Sequence, residues 1–131
     1  MGKRRTAREL ALKFLYQTEY NSESPNSELV AFCERANVSQ EVQNFTQALI
    51  KKFLLHEKEV DELLKKISAH WVPDRMAVID KNIIRIGICE LLFDSTTPPK
   101  VVINEAVEIA KKFGTEESPD FINGILDKIL K

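Results

Sequence analysis

Apolar residues recur every three or four positions along almost the whole chain, the spacing of amphipathic helices. Ala7, Leu10, Ala11, Phe14 and Leu15 form a buried stripe and predict a first helix from about Arg4 to Tyr20. Arg5, Arg8, Leu12 and Tyr16 fall on another face of it. Asn21 to Ser24 reads as a turn, and Ser24-Pro25 opens a short helix with Leu29, Phe32, Cys33 and Ala36 inward. Asn37 is a stop signal and Ser39 the next N-cap. A long third helix follows, from about Gln40 to near Ser68, on the stripe Val42, Phe45, Leu49, Phe53, His56, Val60, Leu63 and Ile67. At 1.5 Å per residue it spans roughly 42 Å, longer than a small lobe is wide.

Trp71-Val72-Pro73 breaks the pattern, so the chain turns there. From Asp74 to Phe93 apolar residues lie on most sides, which predicts a central buried helix. Its β-branched content raises a strand alternative. Length argues against a strand, as do Asp80, Lys81, Arg85 and Glu90 at helical spacing. Gly87 would admit a neighbouring helix at close range. Pro99 starts the next helix, with Val102, Ala106, Ile109, Ala110 and Phe113 inward, and Gly114 ends it. Ser118 as N-cap and Pro119 open the last, with Ile122, Ile125, Leu126 and Ile129 on one face. Asn123-Gly124 resembles a hairpin turn, but the helical stripe runs through it, so Gly124 reads as a close contact between helices. Phe121 falls off the stripe beside the polar loop and is either a lobe edge or a binding residue. The fold class is all-α: six to seven helices in two three-helix lobes sharing one core. The expected division is an N-terminal lobe of about 1–68 and a C-terminal lobe of about 71–131.

Composition changes this picture little. Hydrophobic residues at 44% and charged residues at 30% of the 131 suit an ordinary globular domain. No apolar run is long enough for a membrane span, and the basic N-terminus has no apolar segment behind it, so no secretory signal is expected. Cys33 and Cys89, the only cysteines, form no CxxC pair and read as buried thiols of a reducing cytoplasm.

Charge is more informative. Lys3, Arg4, Arg5 and Arg8 put +4 on the first eight residues, so with a net charge of −1 the rest carries −5. A solvated arginine face is one explanation. Against it, each cation at a helix N-terminus opposes the macrodipole at a cost of roughly 0.3–1 kcal/mol. Arginine forks hold phosphates in bidentate fashion and stack on bases. No Walker loop, GxGxxG or nucleophile elbow is present, and two histidines and two cysteines at unrelated spacings make no zinc site. No enzyme, metal or cofactor is expected.

Three segments in order resemble the NusB family of bacterial transcription antitermination factors: RRTARELALKFLYQ, then Asp80-Lys81-Asn82-Ile83-Ile84-Arg85 with Glu90-Leu91, and NEAVEIAKKFGTEESPDFINGILDKI. The last is the most specific. The resemblance implies an all-α fold, pairing with the ribosomal protein NusE, and binding of the boxA element in nascent ribosomal RNA. It further implies a complex with RNA polymerase, NusA and NusG that prevents premature termination, in the cytoplasm, with the free protein a monomer or weak homodimer. By position it places Arg4, Arg5, Arg8 and Phe121 at the RNA, with Lys3, Tyr16 and Lys100 as weaker members. Asp80, and less securely Asp74, would face NusE. Thr6, Pro119 and Asp120 depart from the family pattern. Two other readings stand beside this one: the NusB-like domain of ribosomal RNA cytosine methyltransferases, which needs a second, cofactor-binding domain, and a helical protein–protein adaptor without an RNA role.

Overall fold

The computed structural model describes residues 2–19, 25–68 and 76–130. Among these are six helices and no strand: α1 (Gly2–Glu19), α2 (Pro25–Arg35), α3 (Gln40–Ile67), α4 (Val78–Phe93), α5 (Pro99–Phe113) and α6 (Ser118–Ile129). The expected turn at Asn21–Ser24 and break at Trp71–Pro73 lie outside the described residues. The helix expected from Asp74 begins at Val78, with Met76 buried just ahead of it.

The caps follow the local chemistry. Asn37, at φ 56°, takes the left-handed conformation that ends α2. The Ser39 hydroxyl accepts from the Val42 N–H at 3.2 Å and starts α3. Ser118 departs from expectation: it is the first residue of α6, not the residue before it. Its buried hydroxyl accepts from the Thr115 N–H at 2.9 Å and so closes the α5–α6 loop. Gly114 is needed for room rather than for an unusual φ, because a Cβ there would lie 2.5 Å from the Ser118 hydroxyl.

α4 is the centre, packed against α1, α3, α5 and α6. One continuous apolar core draws on all six helices, from Phe14 and Leu29 through Phe53 and Ile84 to Ile109 and Leu126. Gly87 lets α6 approach α4, since a Cβ would come within 2.9 Å of the Leu126 side chain. Gly124 does not share that role: it is exposed and a Cβ there would meet open space.

Two features were not foreseen. α3 is kinked at His56, whose φ of −113° and ψ of 16° are not helical. The His56 ring lies flat on Phe93, centroids 3.8 Å apart and planes 5° from parallel, so the aromatic stack accompanies the break. α1 is also buried on two sides. Its expected stripe is covered, and so are Arg8 and Leu12 on the face expected to be polar. The two cysteines are buried; burial raises the Cys33 thiol pKa and pushes the Cys89 thiol up to about 12.

Candidate RNA interface

Long side chains bridge α1 and α5, which run in the same direction, as three pairs of increasing number show. Arg5 bonds Glu105, Lys112 bonds Glu9 at 3.0 Å, and the Lys13 ammonium sits 5.8 Å from the Phe113 ring centroid. This seam ties the N-terminal helix to α5, and of the predicted RNA residues it holds Arg5 directly, with Tyr16 on α1 and Lys100 on α5.

At its N-terminal end the arginines diverge. Arg4 turns towards α3 and the α4–α5 loop. It donates to the Thr97 hydroxyl at 3.2 Å and lies 5.0 Å from the Phe45 centroid. Nearby Asp94 is partly buried, which works against ionisation. Bonds from the Thr96 N–H at 2.9 Å and hydroxyl at 2.6 Å outweigh that and hold its carboxyl below the ordinary range. Arg5 turns the other way, donating Nε to Glu105 Oε1 at 3.0 Å and Nη2 to Oε2 at 2.6 Å. Its side chain is 41% exposed, and Glu105, through hydrogen bond and charge, raises its pKa.

Arg8 corrects an expectation. Its side chain is 2% exposed and forks onto Glu90, Nε and Nη2 each at 2.8 Å, with Nη1 3.6 Å from Glu105. A guanidinium closed in by two buried carboxylates is a structural link between α1, α4 and α5, not a phosphate contact. Lys3, exposed, pairs with Glu41 of α3 at 2.8 Å. Lys100 is exposed in the first turn of α5, three residues after Thr97.

The other end of the seam is aromatic and basic. Lys13 and Lys112 both reach over Phe113, at 5.8 and 5.3 Å. Tyr16, one turn beyond Lys13, is 42% exposed. Phe121 lies in the first turn of α6, past the Phe113 end, half-buried against the main core. The arginine end and the Phe113 end of the seam are therefore distinct places. Between Glu105 and Phe113 alone α5 advances about 12 Å. Lys13, Lys112 and Phe113 were missed in the sequence because two of them looked like solvated lysines and the third like plain core.

A second charged face surrounds the start of α4. Lys81 bonds Glu19 at 2.6 Å, and Arg85 forks onto Asp61 at 2.8 and 2.7 Å while reaching Glu19 at 3.3 Å. Burial opposes ionisation of Glu19, but Lys81 and Arg85 prevail and lower its pKa. Asp80 stands apart: its Oδ1 is buried without a hydrogen-bond partner among the described residues. Asp74 lies outside the described residues.

No cluster of His, Cys, Asp or Glu among the described residues is arranged to hold a metal, and no described helix is long and apolar enough to cross a membrane.

A model of the NusB family matches residues 5–131. The chain is 44% identical over 131 residues to the transcription antitermination protein NusB of Desulforapulum autotrophicum, covering 98% of this chain and 92% of that protein. It is 46% identical to the protein of the same name from Geobacter sulfurreducens, covering 98% and 94%. Among solved structures, NusB of T. maritima superposes with a TM-score of 0.88 at 33% identity, over 96% of this chain and 89% of that one. A chain from the complex of antitermination factors NusB and NusE with double-stranded RNA superposes with a TM-score of 0.87 at 28% identity, over 98% and 96%.

Proposed function

The chain belongs to the NusB family, and from that premise we propose that it binds boxA RNA of nascent ribosomal RNA transcripts, together with NusE, along the α1–α5 seam. It is a transcription antitermination factor and not an enzyme. The observation that carries the RNA assignment is the seam itself: an exposed guanidinium at one end, and two lysines over Phe113 at the other. Charge along the seam suits a phosphate backbone, and the aromatic end suits unpaired bases, which single-stranded RNA offers and proteins read by stacking. Because Glu105 and Phe113 lie about 12 Å apart along α5, one strand rather than one nucleotide spans Arg5 to the Phe113 end, with Phe121 continuing the track. Arg4, Lys3, Tyr16 and Lys100 flank that track.

The Asp80 face is the NusE side of this reading. A buried carboxylate oxygen without a partner among the described residues is suited to a donor supplied by another protein. Docking onto RNA polymerase with NusA and NusG, in the cytoplasm, completes the assignment. The free protein is a monomer or weak homodimer, with lobes of about 1–68 and 71–131.

Titration of a boxA RNA with and without NusE over a range of salt tests it. Affinity should fall steeply as salt rises, since several cations displace counterions. Binding that is undetectable even with NusE, or insensitive to salt, overturns the assignment. Asp80→Lys should weaken NusE binding by charge reversal; unaltered affinity would remove Asp80 from that interface.

A further inference from the structure

The carboxylate facing Arg5 is an unlikely neighbour for a phosphate-binding group, and its geometry suggests why it is there. Glu105 takes the Nε–Nη2 edge of the guanidinium with both oxygens, at 3.0 and 2.6 Å. A guanidinium has a second bidentate edge, Nη1–Nη2, at the tip of the side chain. Among the described residues nothing bonds Nη1 of Arg5. Glu105 is itself 2% exposed, so it sits beneath Arg5 and not beside it in solvent. It is held in turn by Arg8 Nη1 at 3.6 Å, and Arg8 by the fork onto Glu90. The four groups alternate in charge, and only the outermost, Arg5, reaches solvent.

We propose that Glu105 is a positioning residue for RNA, gripping one edge of Arg5 so that the Nη1–Nη2 edge is presented outward to a backbone phosphate. Arg8 and Glu90 anchor Glu105 from within. The arrangement removes rotamer freedom from a long side chain before the ligand arrives, and a preordered group loses less entropy on binding. A negative charge beneath the guanidinium also opposes the incoming phosphate. Orientation outweighs that repulsion. It rests on the assignment of the α1–α5 seam to RNA.

The test is a cycle of Glu105→Gln, Arg5→Ala and the double variant, titrated with single-stranded boxA RNA in the presence of NusE, with unfolding curves alongside. Glu105→Gln keeps the shape and one acceptor oxygen but loses the paired grip, and should weaken RNA binding about 5-fold, within the span of a charge-assisted bidentate contact. In the Arg5→Ala background the same change should have no further effect. Arg5→Lys, which keeps the charge and replaces the fork by a point donor, should lose affinity while leaving the salt slope unchanged; it serves if Glu105→Gln does not fold. Tighter binding by Glu105→Gln means that repulsion dominates and overturns the proposal. Losses that simply add, or equal affinities of Arg5→Lys and the parent chain, overturn it as well. If Arg5→Ala weakens binding and Glu105→Gln does not, the positioning role fails and the seam assignment stands. If Arg5→Ala has no effect, both fail.

Discussion

The two ends of the α1–α5 seam hold their charges in opposite ways. At the N-terminal end every arginine is committed: Arg4 to Thr97 and Phe45, Arg5 to Glu105, Arg8 to Glu90. At the Phe113 end the lysines rest over an aromatic face, a contact with little angular demand, although Lys112 also pairs with Glu9. In the proposed reading, the first end, with its arginines bonded, would fix direction, and the second would offer bases a stacking surface with little angular demand. A single strand of RNA needs both, a fixed register for phosphates and a permissive surface for bases.

The contrast breaks most severely at Arg8. Arg8→Ala leaves Glu90 and part of Glu105 as buried charges without a partner, a loss of about 3–5 kcal/mol in unfolding free energy. Urea unfolding measures it, and a loss under about 1 kcal/mol, the range of an exposed pair, would mean that Arg8 is not the link described. A middle-sized effect is expected at the other end. Phe121→Ala should lower boxA affinity about tenfold, within the 1–3 kcal/mol of one stacked base. It should cost less stability than Arg8→Ala, because the ring is only half-buried. Severe unfolding with intact RNA binding of the folded fraction would instead make Phe121 a core residue. The smallest effect belongs to Lys13→Ala: the slope of log affinity against log salt should drop by about one, with the unfolding curve hardly moved. An unchanged slope would place Lys13 outside the track.

The helices were legible because their stripes, stops and caps agree: Asn37, Ser39, Pro99 and Gly114 all mark boundaries where they were read. What misled was the assumption that a charged face is a wet one. Arg8 precedes Leu12 by one turn on the second face of α1, and both are buried. The signal was present elsewhere. Glu90 lies in a helix apolar on most sides, and Glu105 stands one turn from inward-facing Val102 and Ile109. Buried carboxylates need cations, and Arg5 and Arg8 were the cations available. Periodicity could not pair them, because the partners are 82 and 100 residues apart. The same blindness misplaced one of the two glycines: Gly87 admits α6 as read, while Gly124, also read as a close contact, faces open space. The kink at His56 left no mark in the stripe, since the stacking partner Phe93 belongs to another helix.

The two buried thiols have a practical consequence for anyone who wants to watch this protein work. Thiol-directed dyes react with the thiolate, and the cost of burying charge holds both native cysteines in the protonated form, Cys89 most strongly. A cysteine introduced at exposed Lys100 or Leu55 would therefore take up a maleimide fluorophore selectively from the native sequence, with neither Cys33 nor Cys89 replaced. One dye near the start of α5 and another on the RNA would report, by energy transfer, the direction in which the strand lies along the seam.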